Sequence, residues 1–296
     1  MQFGGHETFP LREGWLHKGL ELVREDARAF EDEHVADRLG VGRNMAKSIK
    51  HWLLACGLVS PDVFDLKLTP LGKGVWANDP YFLSSTTWWL MHAELVTNKE
   101  HAYSWWWFFN HFHAERFEKP TSVEALRRHL AFVKSRVPKD ETLLRDVGCM
   151  LACYSRPIPA MREDPEDSRH SPLIELGLID HHRESGQYRV HRGAKSVSQA
   201  VLAYAIARAY ESRGEEVPAS ILLHDLARLE SGPARSLCLS PEALFQTIEV
   251  AAGDSDKPLV EIGGLAGQRV VKMRLKSSAE IAKVALAESK EETHVA

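Results

Sequence analysis

The stretch Glu33–Trp76, EHVADRLGVGRNMAKSIKHWLLACGLVSPDVFDLKLTPLGKGVW, decides how the first quarter of the chain folds. A short helix is expected from Glu33 to Leu39, then a tight turn through Gly40-Val41-Gly42, then a longer helix from Arg43 to about Cys56. Gly57 sits where a helix commonly ends in the left-handed conformation. On the longer helix Met45, Ile49, Trp52, Leu53 and Cys56 recur at i, i+4, i+7, i+8 and i+11, an apolar stripe for the core. Arg43, Asn44, Lys47, Lys50 and His51 lie mostly on the other side and are expected to point outward. GLV and DLKLTPLGKG then read as two short strands around a hairpin, with an exit into a further helix.

Over residues 31–77 this order resembles the winged helix-turn-helix of MarR-type DNA-binding domains. The resemblance implies that the second helix enters the major groove while the hairpin rests on the backbone. It casts Lys47, Lys50 and Lys67 as phosphate contacts, Arg43 and Asn44 as readers of base edges, and His51 as part of the same outward face. A protein–protein module with a solvated basic face is the competing reading.

Net charge, −4 over 296 residues, argues weakly against nucleic acid if spread evenly, but it is not. From Arg38 to Pro61 there is no acid, while Arg38, Arg43, Lys47 and Lys50 fall inside; acids collect at Glu31–Glu33, at Glu163–Asp167 and near the C-terminus. A local basic face suffices for DNA, because the phosphate interaction depends on the contacting patch. No apolar run approaches the roughly 18–20 residues that span a bilayer, so no membrane role is expected. Cys56, Cys149, Cys153 and Cys238 are scattered without a CxxC pair, and the first residues lack a basic and apolar leader. A reduced, cytoplasmic protein is expected.

Further along, WWLMHAELV and YSWWWFFNHF form two aromatic helical blocks. Trp105, Trp106 and Trp107 cover most of a helix's circumference and are expected in an interdomain core rather than as a stacking platform for bases. His111 and His113 face apart on a helix and are not expected to bind metal. SVEALRRHLAFVKSRVPKDETLLRDVGCMLACYSRP reads as two more amphipathic helices, the first carrying Arg127, Arg128, Lys134 and Arg136. PIPAMREDPEDSRHSP reads as a surface loop and a domain boundary. LIELGLIDHHRESGQYRVHRG reads as a short helix and a hairpin turning at Ser185-Gly186, echoing the earlier unit. Lys195–Tyr210 is a strong helix, Ser240 caps another after Pro241, PLVEIGG and QRVVKMRL make a terminal hairpin, and the last residues are expected to fray.

The fold class expected is mainly α with short β-hairpins. Residues 1–80 form a winged helix-turn-helix with an N-terminal brace, 81–160 an aromatic-rich helical region, and 161–296 a C-terminal helical and hairpin region with winged-helix-like grammar.

The opening residues are unusual for a terminus. GGHETFPLREGWL, with LGVGRNMAKSIKHWLLACGL, LTPLGK, DPY, WWWFFNHF, RDVGCML and SPLIELGLI…YRVHRG, is similar to one bacterial family of unknown function, the SspB-like family of DNA phosphorothioate modification systems. The likeness runs from Phe3 to about Gly193; Ser171 stands where it leads one to expect a cysteine. It implies a component that binds double-stranded DNA and nicks it, alongside a cysteine desulfurase and an ATP-using sulfurtransferase-like protein. The alternatives are a non-catalytic DNA-binding adaptor for those partners, and a winged-helix regulator that forms a homodimer through the Lys195–Tyr210 helix.

Physically, Phe3, Phe9, Leu11, Trp15 and Leu16 would brace the first helix, and Gly4-Gly5 permits a tight turn. Strand cleavage needs a base or metal ligand for water and a cation for the developing phosphate charge. His6 and Glu7 are the candidates for base or for ligand to Mg²⁺ or Mn²⁺, and Arg12 for the charge clamp; Glu7 paired with Arg12 is the structural alternative. No organic cofactor is expected, and no known nuclease motif stands out.

Overall fold

The computed structural model of the protein describes residues 1–63, 65–133, 137–158, 170–253, 258–265 and 267–295, with side chains through 290. Helices α1 (Trp15–Glu25), α2 (Val35–Leu39) and α3 (Arg43–Ala55) come first, followed by strands β1 (Val59–Asp62) and β2 (Asp65–Leu68) and helix α4 (Pro70–Asn78). Ala46, Ile49, Trp52 and Leu53 are buried where α3 packs on α1. Gly57 ends α3 at φ 64°, as its position suggested. β1 and β2 pair antiparallel, Ser60 opposite Lys67. LTPLGKG has a close-packing reason. Thr69 caps α4 by accepting from Gly72 N–H at 3.0 Å, and a Cβ on Gly72 would lie 2.1 Å from the Leu58 carbonyl oxygen. Only glycine lets α4 start against that backbone.

Two aromatic helices, α5 (Ser85–Thr97) and α6 (Tyr103–His111), form the centre, and Trp105, Trp106 and Trp107 are all buried there. Strand β3 (Arg116–Glu118), helices α7 (Lys119–Phe132) and α8 (Asp140–Tyr154), and strands β4 (Ser155–Ile158), β5 (Ile179–His182) and β6 (Gln187–Val190) follow. The hairpin at Ser185-Gly186 is present, but it belongs to a four-stranded sheet in the order β3-β6-β5-β4, with β4 and β5 parallel. Strands of three or four residues leave edges that need partners, and here the partners come from distant sequence. Ser171 caps the 3-10 turn Pro172–Leu176, its hydroxyl accepting from Leu173 N–H. The expected boundary loop lies largely at 159–169, and Lys134 and Arg136 at 134–136, outside the described residues.

Helix α9 (Gln199–Glu211) starts at its Ser198 cap, four residues later than the pattern suggested. It does not offer a dimer face. Residues 200–207, 209 and 210 are all buried, against α5 and the last helix of the chain, so the expectation of dimerisation through this helix is corrected. Strand β7 (Ile221–Leu222) and helices α10 (Leu223–Arg228), α11 (Pro233–Ser236) and α12 (Pro241–Ala252) precede β8 (Val260–Leu265), β9 (Gln268–Met273) and α13 (Ser278–Val295). Ser240 caps α12 through Ala243 N–H at 3.1 Å. β7 joins the terminal hairpin in the order β7-β9-β8. Ile281, Ala282, Ala285 and Leu286 of α13 are buried against α4 and α9; the side chains of the last residues, where fraying is expected, lie outside those described.

Apolar burial runs as one cluster from Leu11 to Leu286, across residues 80 and 160. Two charged or titratable groups inside it are well paired. Glu94 of α5 accepts from Tyr204 Oη at 2.6 Å and is held by the Arg208 guanidinium of α9. His92 donates from Nε2 to the Ser236 carbonyl at 2.6 Å, which leaves Nδ1 to accept from Tyr154 Oη at 2.7 Å. Burial pushes the His92 imidazole down to about 4, partly offset by the Ser236 carbonyl. The unfolded side chain titrates near 6.5, so as pH falls the unfolded chain takes the proton first. His92 therefore takes no stability away above about pH 6.5 and withdraws it progressively down to about 4, on the order of 3 kcal/mol in total. Urea titrations across that window should show stability falling with acidity more steeply in the wild type than in His92→Gln.

Candidate nucleic-acid interface

The interface expected from sequence is built on α3, and the N-terminal segment lies beside it. His6, 1% exposed, is wedged between His51 of α3 and Trp105 of α6, with ring centroids 5.9 Å from each. Thr8 N–H donates to Nδ1 at 3.0 Å, so Nε2 carries the proton and donates to Asp146 Oδ1 of α8 at 2.9 Å. The same carboxylate accepts from Gly4 N–H at 2.6 Å and from Ser104 Oγ of α6. Phe9 C=O accepts from the Trp52 indole, and Phe3 meets Tyr103 edge-on. A Cβ on Gly5 would lie 2.5 Å from His51 Nδ1, so the glycine lets the segment close over α3.

The expected catalytic trio is not gathered into one constellation. Both His6 nitrogens are engaged and buried, so His6 has no free nitrogen to act as a base and is corrected to a fastener. Arg12 lies 5.4 Å from the Phe9 ring and 5.3 Å from the Trp15 ring, a cation held on aromatic faces. Among the described residues no ion pair joins it to Glu7. Glu7 is half-buried at φ 50°, and Thr8 follows at φ 69°, a left-handed pair that a β-branched residue adopts only under constraint. Glu7 Oε1 lies 3.9 Å from Lys47 Nζ. His6 and Glu7 do not fit a divalent ion: one offers no free lone pair, and the other is a lone carboxylate beside a lysine. Among the described residues no three His, Cys, Asp or Glu side chains gather as metal ligands.

On α3 itself Arg43, Asn44 and Lys47 are exposed, as expected, and Lys50 is half-buried. His51 is not outward. It is buried beneath Gly5, neither ring nitrogen has a hydrogen-bond partner among the described residues, and burial with His6 beside it pushes its imidazole down to about 3. It cannot reach DNA, and this expectation is corrected. The apolar stripe reaches one position further round the helix than its strongest residues suggested, because the N-terminal segment covers that side.

Lys50 Nζ is 2.6 Å from Glu31 Oε1, and Lys67 of β2 pairs with Asp62 of β1. Each cation holds its partner's carboxyl below the usual carboxylate range. Thus two of the three lysines read as phosphate contacts have a carboxylate at bonding distance, and Lys47 has one nearby. Arg43 has no carboxylate partner among the described residues. These are exposed or half-exposed surface pairs weakened by solvent screening, so a phosphate can compete for them.

The residues missed in the sequence are Asp146 and Ser104. An acid inside RDVGCML, amid apolar neighbours on a helix, was the available signal, since a buried carboxylate needs partners. Asp146→Ala would strand His6, Gly4 N–H and Ser104 without an acceptor. The expected cost is about 2–5 kcal/mol by urea denaturation, with faster amide exchange over the first eight residues.

The geometry has counterparts. Two solved structures, described as "Magnesium ion-bound SspB crystal structure" and "SspB crystal structure", each superpose at a TM-score of 0.82 with 25% identity, covering 100% of this chain and 89% of theirs. No curated protein matches the chain. The sequence pattern of the family described as "Protein of unknown function (DUF4007)" matches residues 3–288, and the chain belongs to that family.

Proposed function

We propose that this protein docks on double-stranded DNA through α3 and the β1–β2 hairpin, as a winged helix-turn-helix, within a phosphorothioate modification and defence system. The observation that carries the docking is the division of α3. Ala46, Ile49, Trp52 and Leu53 are buried on one side, while Arg43, Asn44 and Lys47 are exposed at its N-terminal half, ahead of a two-stranded hairpin bearing Lys67. In this reading Arg43 and Asn44 meet base edges and Lys47, Lys50 and Lys67 meet phosphates. Glu31 and Asp62 hold Lys50 and Lys67 until a phosphate replaces them. The system is inferred from the fold shared with SspB across the whole chain. A cysteine desulfurase and an ATP-using sulfurtransferase-like protein are the partners it implies.

The chain is not read as the sulfur carrier. All four cysteines are buried, and burial pushes the thiols of Cys56, Cys149 and Cys238 up, that of Cys238 to about 11. Ellman's reagent at pH 8 should find no fast-reacting thiol in the native protein and four after denaturation.

A second reading, strand nicking at Glu7, is favoured by the strained left-handed Glu7–Thr8 pair next to Lys47. Relaxation of supercoiled plasmid in Mg²⁺, Mn²⁺ or chelator tests it: nicking unchanged in folded Glu7→Ala would remove that residue.

Docking is tested by anisotropy on labelled duplex. Arg43→Glu with Lys47→Glu should weaken binding at least about tenfold at every sequence and flatten the salt dependence. Glu31→Gln should strengthen binding a few-fold, because it frees Lys50 from its carboxylate. An unaltered salt slope in the folded double variant would refute the docking face.

A further inference from the structure

Away from α3, where the chain leaves β6 and approaches α11, a second group of cations has no counter-charge among the described residues. Arg192 Nη2 donates to the His113 carbonyl at 3.4 Å, and Arg235 Nη1 donates to His113 Nδ1 at 3.2 Å, so one residue receives two guanidiniums. Lys195 Nζ donates to the carbonyls of His191 and Gly193 at 3.1 and 3.0 Å. Among the described residues none of the three has a carboxylate within 4.0 Å. Asp180, one strand away, is already taken by His191 at 2.5 Å and Arg156 at 3.1 Å.

The arrangement is held rigidly. Ser240 N–H donates to the Arg192 carbonyl at 3.0 Å, and Lys195 N–H to Thr247 Oγ1 of α12 at 3.2 Å. Arg235 projects from α11, which is fastened to the aromatic core. Ser231, in the left-handed region at φ 58°, exchanges bonds with Asn110 of α6, and the Ser236 carbonyl accepts from His92. All three cations are half-buried. Burial and Arg192 both hold the Arg235 guanidinium below its ordinary value, as expected of two guanidiniums that meet at His113.

Two guanidiniums brought to one residue on rigid backbone repel each other and lose hydration, and Lys195 follows Arg192 three residues on. An anion with several acceptor oxygens relieves both costs, and planar guanidinium forks match a phosphate bidentately. We infer that Arg192, Arg235 and Lys195 form a second phosphate site, separate from α3, that grips the backbone of the DNA the protein docks on. The inference rests on the docking reading for its source of phosphate. The chemistry, a phosphate oxyanion, would also suit inorganic phosphate, and the test separates the two.

Binding of labelled duplex of arbitrary sequence is measured from about 50 to 200 mM salt for wild type and for Arg192→Gln with Arg235→Gln. Each lost phosphate contact lowers the log–log salt slope by about 0.9, so the double variant should lose about 2 in slope and at least about tenfold in affinity. Lys195→Gln, which disturbs only bonds to carbonyls, should lose about 1 and serves if the double variant does not fold. A full wild-type slope in either folded variant, with Arg43→Glu/Lys47→Glu still weakening binding, overturns this site and leaves the α3 face standing. Loss of binding in the Arg43→Glu/Lys47→Glu protein without any contribution from the arginines overturns it in the same way. If wild type binds no duplex but inorganic phosphate raises its melting temperature, and Arg192→Gln/Arg235→Gln abolishes that rise, the duplex assignment falls with the docking reading.

Discussion

The buried Asp146 carboxylate holds the N-terminal segment in place. One side chain of α8 accepts from Gly4 N–H, from His6 Nε2 and from Ser104 Oγ. A carboxylate in a dry interior is costly unless its lone pairs are used, and here the donors come from two separate parts of the chain, the N-terminal segment and α6. That need draws residues that would otherwise fray into the core, where His6 stacks edge-on to Trp105 and His51. With the segment fixed, Glu7 is brought beside Lys47 and His51 is sealed from solvent.

A second buried carboxylate does the same for the other half. Glu94 on α5 binds Tyr204 and Arg208 on α9, so two largely buried helices are joined by a charge-assisted bond as well as by apolar packing. α13 then closes over α9 and α4. The consequence is continuity: the hairpin-bearing N-terminal unit and the C-terminal helices share a core, and α4 links the exit of the hairpin to the last helix of the protein.

Charge on α3 shows how linear sequence and surface differ. The run from Arg38 to Pro61 has no acid, yet Glu31, Asp62 and Glu7 flank it in the folded chain. The basic face is therefore partly screened. Around His113 the reverse holds: Arg192 and Arg235 are far apart in sequence and carry no obvious motif, but the fold brings both to one residue where the described residues supply no acid.

Local periodicity and turn chemistry determined much by themselves. The α2–α3 pair, the left-handed Gly57, the Thr69-Pro70 start of α4, the Ser240 cap, the three hairpins and the burial of three consecutive tryptophans all follow from interactions within a few residues or from bulk hydrophobicity. The SspB-like family was legible as well, because its motifs are long and ordered along the chain. Tertiary structure alone decided the pairing of β3 with β6 and of β4 with β5, the anchoring of α13, the burial of His51 and the inward turn of His6. Each depends on a partner far away in sequence, such as Asp146 for His6 across 140 residues. Helical spacing gives the side of the helix on which a residue lies, and the rest of the chain determines what covers that side.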